Sequence, residues 1–544
     1  MAKENLDEEE RAILHALEGI LGKELPIRDE IEWNTRGVQI ESGRIIGISF
    51  YDMSIGTNRK LSEFWDCLYQ LRHLKTIHLY KNELTALPDS FGNLHALRYL
   101  DLGRNQLAAL PDSFGNLHAL RYLDLGRNQL AALPDSFGNL HALQTLHLSE
   151  NQLVALPDSF GNLHALRYLD LGENQLAALP DSFGNLHALQ TLHLSENQLA
   201  ALPDWFGNLH ALQWLYLRGN QLAALPDWFG NLHALQRLDL GGNQLAALPD
   251  SFGNLYALQT LDLRENKLAA LPDSFGNLHA LQELDLRGNQ LAALPDSFGN
   301  LHAVQWLHLG GNQLAALPDS FGNLYALRRL DLRENQLAAL PDSFGNLHAL
   351  QWLYLRGNQL AALPDSFGNL HALQELDLRG NPLTIFPSSL MRLESLRELN
   401  GSYLPMLDFP WDEFGSSKSN FENLTRGLMD NLATIKLDFT DSVWTVAESV
   451  LEMIIKMLKE NPELYENPDL THPDERRRQF SAFDNFIQDL QTRYELVRSG
   501  MNDSSKREKE NILSIFRRLL QEPLFRESML EVTRGDKELM ERME

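Results

Sequence analysis

One cysteine, Cys67, is all that 544 residues contain. That excludes an intrachain disulfide and sets the chain apart from secreted repeat proteins of this size, which usually carry some. Long apolar runs are missing as well: no uninterrupted stretch approaches the roughly 18–20 residues that span a bilayer. The opening segment, Met1 to Glu10, is acidic where a signal peptide would be basic and then apolar. Positive charge is scarce, with 47 Lys and Arg against 73 Asp and Glu, a net charge of −26. The acidity is spread along the chain, so phosphate backbones and anionic lipid are expected to be repelled. These absences lead to the expectation of a soluble, cytoplasmic chain with neither nucleic acid nor membrane as a partner.

What the chain has in abundance is repetition. The unit Leu-His-Ala-Leu-x-x-Leu-x-Leu-x-x-Asn-x-Leu-Ala-Ala-Leu-Pro-Asp-Ser-Phe-Gly-Asn recurs with its asparagine at Asn82, Asn105, Asn128 and every 23 residues to Asn381, fourteen copies in all. Residues 94–116 and 117–139 are identical. In each copy a short strand is expected: Leu100 and Leu102 alternate with Tyr99 and Asp101, the period of two that sends leucines inward and their neighbours outward. Asn105 ends the strand, where its amide can bond backbone groups of the turn and of the adjacent coil. Pro111 stops the ladder, and Asp112 to Asn116 returns the chain through a turn or short helix. One coil cannot bury its own leucines. Stacked coils share a core, with strands about 4.8 Å apart in a parallel sheet, and thirteen steps at that spacing extend on the order of 60 Å.

These motifs resemble the leucine-rich repeat over roughly residues 45–400. The return segment Leu-Pro-x-x-Phe-Gly-Asn-Leu is similar to that of the 23-residue intracellular class, which includes bacterial and archaeal repeat proteins and the Ras-group-related repeat proteins of eukaryotes. The resemblance implies an α/β solenoid, a horseshoe with a parallel sheet on its concave side, that binds other proteins. It also implies a small Ras-like GTPase as one class of partner.

Three regions follow: an N-terminal helix and capping region with a degenerate first repeat (1–70), the array with its closing coil (71–404), and an α-helical domain (415–544). Residues 6–22 are expected to form an amphipathic helix with acids in its first turn, covering the first coil. Arg44 to Phe50 is expected as a first strand, with Met53 where the signature asparagine would sit. At the other end Leu396 and Leu399 keep phase, and Gly401 and Leu404 break it. Beyond the linker Gly415 to Ser419, helices are expected near 421–436, 441–460, 474–498, 507–521 and 523–543.

Catalytic, cofactor and metal sites are not expected. The histidine row from His95 to His371 has neighbours about 5 Å apart, whereas a metal needs ligands converging at roughly 2.0–2.1 Å. Tyr256 and Tyr325 also interrupt it. Gly19-Ile20-Leu21-Gly22-Lys23 is too short for a phosphate loop and follows a helix. Bacterial leucine-rich ubiquitin ligases carry a catalytic cysteine in a helical domain after the repeats, and none exists here after Cys67. Cys67 itself is expected to be a buried structural thiol beside Phe64, Trp65 and Leu68. Arg476-Arg477-Arg478 reads as a solvated helix face.

The residues that vary are those facing out from the strands. A partner-binding surface is expected at Tyr99, Tyr122, Tyr168, Trp214, Tyr216, Arg218, Trp306, His308, Trp352, Tyr354 and Arg356, because Trp, Tyr and Arg dominate interface hot spots. The other reading is that aromatics pair across strands and cover the sheet. Asp239, Asp262 and Asp285 fall on consecutive coils, and Arg264, Arg287 and Arg237 are expected to offset their repulsion. A steering role toward a basic partner is the secondary expectation. Trp205 and Trp228 replace serine on the return side, where a second small patch is expected.

Overall fold

The computed structural model describes residues 6–32, 34–383, 392–393 and 395–400. The helices expected from residue 421 onward, and Gly401 and Leu404, lie outside them. The chain divides into two compact units, Met1–Leu314 and Ala315–Glu544, with the division inside the array.

The first unit opens with helix α1, Glu8–Leu21, which carries Glu8, Glu9 and Glu10 in its first turn and ends at Gly22 in the left-handed region (φ +63°). Ile13, Leu14 and Leu17 are buried at helical spacing. Buried Glu10 accepts the Ile45 N–H, and Arg44 lies 2.8 Å from Asp7, so the helix is fastened to the chain just before the repeats. A hairpin precedes the array that the leucine spacing does not announce. Strand β2 (Arg36–Glu41) runs antiparallel to β3 (Arg44–Phe50), and a two-residue strand β1 (Ile27–Arg28) pairs parallel to β2. Ser42 and Gly43, both at positive φ, make the two-residue turn whose twist suits a hairpin.

The far edge of β3 starts the coil stack. Ile48 aligns with Ile77 of the parallel strand β4 (Thr76–His78). The Oδ1 of Asn82 accepts the Met53 N–H at 3.1 Å, so Met53 occupies the position that the signature asparagine holds in later coils. Helix α2 (Leu61–Leu68) buries Phe64, Trp65 and Leu68 beneath this coil. Cys67 is a correction: it is partly exposed rather than buried, and burial, with Asp66 and Glu63 adding to it, pushes its thiol above the usual range. That leaves less of the reactive thiolate.

Three-residue strands follow every 23 residues in this unit, from β5 (Tyr99–Asp101) to β14 (Trp306–His308), parallel and in register leucine on leucine. The second unit repeats the pattern at Arg329–Asp331, Trp352–Tyr354, Glu375–Asp377 and Glu398–Asn400. From Leu79 to Leu378 the leucines of the strands and of the following coil are essentially inaccessible. Each is worth about 2 kcal/mol on burial, a gain no lone coil could collect. The asparagines stitch coil to coil. Asn128 donates to the carbonyls of Leu102 and Leu125 at 3.0 Å and accepts the Leu107 N–H at 3.0 Å. Each return segment from Asp89–Asn93 to Asp365–Asn369 forms a short 3-10 turn, Asp112–Asn116 for example, after a proline in extended conformation. Its phenylalanines stack in parallel, Phe114 on Phe137 at 6.3 Å and Phe137 on Phe160 at 6.1 Å. The turn glycine is required by close approach: a Cβ on Gly138 would lie 2.3 Å from the Ser159 carbonyl oxygen.

Candidate binding face

Side chains that alternate with the buried leucines stand on the outer face of the strands, and in the first unit their identities are correlated along a strand. On the strands from Thr76 to His193, where the first position is threonine the third is histidine (Thr76/His78, Thr145/His147, Thr191/His193), a pairing that ends at Thr260/Asp262. Where the first is tyrosine, the third is aspartate (Tyr99/Asp101, Tyr122/Asp124, Tyr168/Asp170). Each strand thus contributes one ring, and neighbouring rings meet. His78 lies 4.7 Å from Tyr99, Tyr99 stacks on Tyr122 at 4.1 Å, and Tyr122 meets His147 at 5.5 Å. His147, Tyr168, His193 and Tyr216 continue at 4.8, 5.5 and 4.1 Å. The Arg237 guanidinium closes the series 5.8 Å over Tyr216. The result is an unbroken ribbon of rings across seven strands. Its interspersed Thr-x-His and Tyr-Leu-Asp triplets are the signal in the sequence.

The tyrosines of the ribbon are half-buried against one another. Burial pushes the hydroxyls of Tyr99 and Tyr168 up to about 12 and that of Tyr122 higher still, so all three remain neutral donors. Burial also lowers His193, which favours the neutral ring near pH 7. Trp214 and Trp306, by contrast, stand free at 41% and 39% exposure. Tyr216 and His308 are half-buried, and half-buried Arg218 has Glu196 at 3.9 Å.

In the second unit Tyr354 is flanked by the guanidinium groups of Arg329 and Arg333 at 5.1 and 5.5 Å and donates from its hydroxyl to Glu375 at 3.1 Å. Trp352 is half-buried and Arg356 exposed. The sequence-selected aromatics thus fall into mutually packed tyrosines, Tyr354 packed between arginines, half-buried Trp352, and two tryptophans open to solvent, Trp214 and Trp306.

The aspartates follow a rule of their own. Each takes a backbone N–H two residues on, as Asp124 takes that of Gly126 at 2.8 Å and Asp262 that of Arg264 at 3.0 Å. Later coils put arginine at that second position, and the arginine folds back onto its own aspartate: Arg264 on Asp262, Arg287 on Asp285, Arg333 on Asp331, Arg379 on Asp377, with closest approaches of 2.5 to 3.1 Å. Arg237 does not join them, contrary to expectation, because it lies over the Tyr216 ring. Earlier coils put Gly103, Gly126 and Gly172 there. Asp101 pairs with His78 at 3.4 Å and Asp170 with His147 at 4.0 Å. Burial, then the Asp101 carboxylate, pushes the Asp124 carboxyl above its ordinary range. For Asp170 burial works the same way, but the hydrogen bonds from His147, the Gly172 N–H and Ser149 outweigh it and hold the carboxyl low.

The return-side histidines are exposed, and several direct Nδ1 toward the asparagine carbonyl one coil on, His118 to Asn139 at 3.3 Å for instance. Trp205 and Trp228 lie half-buried against the phenylalanine stack and donate to Asp181 and Asp204 at 3.2 and 3.1 Å. Among the described residues no group of three or more His, Cys, Asp or Glu is placed to hold a metal ion, and no helix is long and apolar enough to cross a membrane.

Comparison with known proteins agrees with this architecture. A family model described as a leucine-rich repeat region matches residues 158–247, 246–329 and 316–469. A second, described as leucine rich repeat, matches residues 51–107, 72–130, 107–153 and 131–176. A solved repeat protein of Leptospira interrogans is 33% identical, over 66% of this chain and 89% of that one, with a TM-score of 0.59. The plant peptide hormone receptor RGFR1, solved in complex with RGF2, is 28% identical, with a TM-score of 0.54. That match covers 68% of this chain and 62% of the receptor's. No curated protein matches significantly.

Proposed function

This chain belongs to the leucine-rich repeat family, and from that membership and its aromatic strand face we propose that it is a non-catalytic binding protein that holds a partner protein on the outer face of its strands. The observation that carries the reading is the exposure of Trp214 and Trp306 on that face. Large aromatic side chains left in water favour burial by a partner, and a ring ribbon fixed by its own stacking loses little side-chain freedom when one docks. RGFR1, whose structure contains the peptide hormone RGF2, is an instance of a similar fold with a polypeptide ligand. The 23-residue period supports a likeness to the intracellular class, and that class and a cytoplasmic location are part of the proposal, as are a cap over 1–70, an array over 71–404 and a helical domain over 415–544.

The test is titration of a partner captured from native lysate against the full chain and its Trp214→Ala/Trp306→Ala variant. A hot-spot role predicts a loss of at least tenfold in affinity. Unchanged affinity for every captured partner removes this surface from the account. Likeness to the Ras-group-related repeat proteins makes a small Ras-like GTPase one partner class, checked by nucleotide exchange and hydrolysis rates with and without the chain. No feature of the described face singles it out.

A further inference from the structure

The contrast between the two kinds of aspartate coil carries the partner's chemistry further. In the Asp-Leu-Arg coils the chain supplies its own cation: a guanidinium from two residues on lies against the carboxylate, at 2.7 Å for Arg333 on Asp331 and 2.8 Å for Arg379 on Asp377. In the Asp-Leu-Gly coils that cation is left out while the carboxylate stays. Gly126 and Gly172 stand beside Asp124 and Asp170, and the atoms nearest a Cβ at either glycine would be Asp124 Oδ1 at 3.2 Å and Asp170 Oδ1 at 3.3 Å. Among the described residues no lysine or arginine pairs with Asp124 or with Glu173 on the neighbouring edge. Glu150, Glu173 and Glu196 border the same coils.

The ring ribbon runs beside these carboxylates and already shows its taste for cations at one end, where Arg237 lies over Tyr216. Charge complementarity and ring chemistry therefore point to the same kind of ligand.

We infer that the strand face from Thr76 to Tyr216 docks an extended, arginine- or lysine-bearing peptide segment of the partner, whose cations take at Asp124 and Asp170 the place that the chain's own arginines take in later coils. The inference rests on the strand-face reading above and adds the chemistry of the occupant. Spacing supports an extended segment lying along the coil stack. Asp124 and Asp170 are two coils apart, about 10 Å, and three residues of extended chain cover about the same distance. Cations three residues apart would meet these two carboxylates, with their stems laid on Tyr122 and Tyr168.

The probe is a fluorescent twelve-residue peptide of Arg-Ser-Ser repeats, with Gln-Ser-Ser and Glu-Ser-Ser repeats as comparisons, titrated against the full chain by anisotropy. The arginine peptide is expected to bind at least tenfold more tightly than either comparison. Two variants then locate it. Gly126→Arg/Gly172→Arg rebuilds the internal clamp, and it is expected to weaken binding at least tenfold while the melting temperature holds within a few degrees. Asp124→Asn/Asp170→Asn is expected to weaken it similarly. Asp135→Asn/Asp158→Asn removes two charges from the exposed return side and is expected to leave affinity within twofold, which separates a local site from the pull of a chain at −26. Equal binding of the arginine and glutamine peptides, or equal losses from the strand-face and return-side pairs, overturns the inference. If the tryptophan variant loses a captured partner while the aspartate and glycine variants keep it, the strand-face reading stands and the cationic occupant falls.

Discussion

Asp262 faces Asp239 and Asp285 on the two neighbouring strands, and burial pushes its carboxyl up to about 6, with those carboxylates adding to the shift and the Arg264 N–H and guanidinium opposing it. A carboxyl raised in the folded state holds its proton more tightly there than in the unfolded chain. Its contribution to stability is complete below about pH 4 and is lost as pH rises through 6. Asp262→Asn keeps an oxygen for the Arg264 N–H and removes that loss. The variant is expected to match the wild type near pH 4 and to exceed it by roughly 1 kcal/mol at pH 7, a figure reduced for solvent screening at a partly exposed site. Thermal melts across pH 4–7.5 check this, and a gap that shrinks with rising pH contradicts it. A second residue-level expectation concerns the turn serines. The Ser136 hydroxyl is buried with no hydrogen-bond partner. Ser136→Ala should therefore be neutral or stabilising by up to about 1 kcal/mol in denaturant titration, where most core substitutions destabilise.

Among the elements, the coil is held by apolar stacking and by its asparagine, and the two respond differently to change. Asn128→Ala leaves the Leu107 N–H without a partner inside the core and takes one of two amide bonds from the Leu102 and Leu125 carbonyls, which keep Asn105 and Asn151. A loss of roughly 2–4 kcal/mol is expected, with faster amide exchange concentrated in the coils on either side. Much of the coil was readable beforehand. Leu100 and Leu102 gave the strand, Asn105 its end, and Met53 the degenerate first copy, because all of these depend on a local period. The hairpin of β2 and β3 was not, since the leucine template gave no reason to look there, although Ser42-Gly43 between alternating apolar residues carried the turn. The face was legible in part. Its aromatic enrichment is readable from the outward positions, but the ribbon depends on contacts between residues of adjacent strands, as does the seat of Arg237 over Tyr216. Three-dimensional neighbours decide both. The left-handed residue before each signature asparagine also passed unnoticed. Gly219, Gly242 and Gly288 occupy it where Arg104 and Arg127 do elsewhere, and the alternation with glycine was the clue.

For the molecule as a whole, the repeat makes coil contacts interchangeable. Removing residues 117–139 joins Asn116 to Leu140 and regenerates the same junction sequence, because 94–116 and 117–139 are identical. The shortened chain is expected to keep its circular dichroism per residue and to melt within a few degrees of the parent, whereas removal of 118–139 alone puts later leucines out of phase and should abolish cooperative melting. Tolerance of both deletions, or of neither, would contradict in-phase stacking as the basis of the fold. Identical coils also carry no local mark of their ordinal place. Reach along the ribbon is thus a matter of copy number, reset in clicks of about 4.8 Å like the teeth of a ratchet. Two anchor points on a ligand would be brought into or out of step by gaining or losing one tooth, with no new side chain invented.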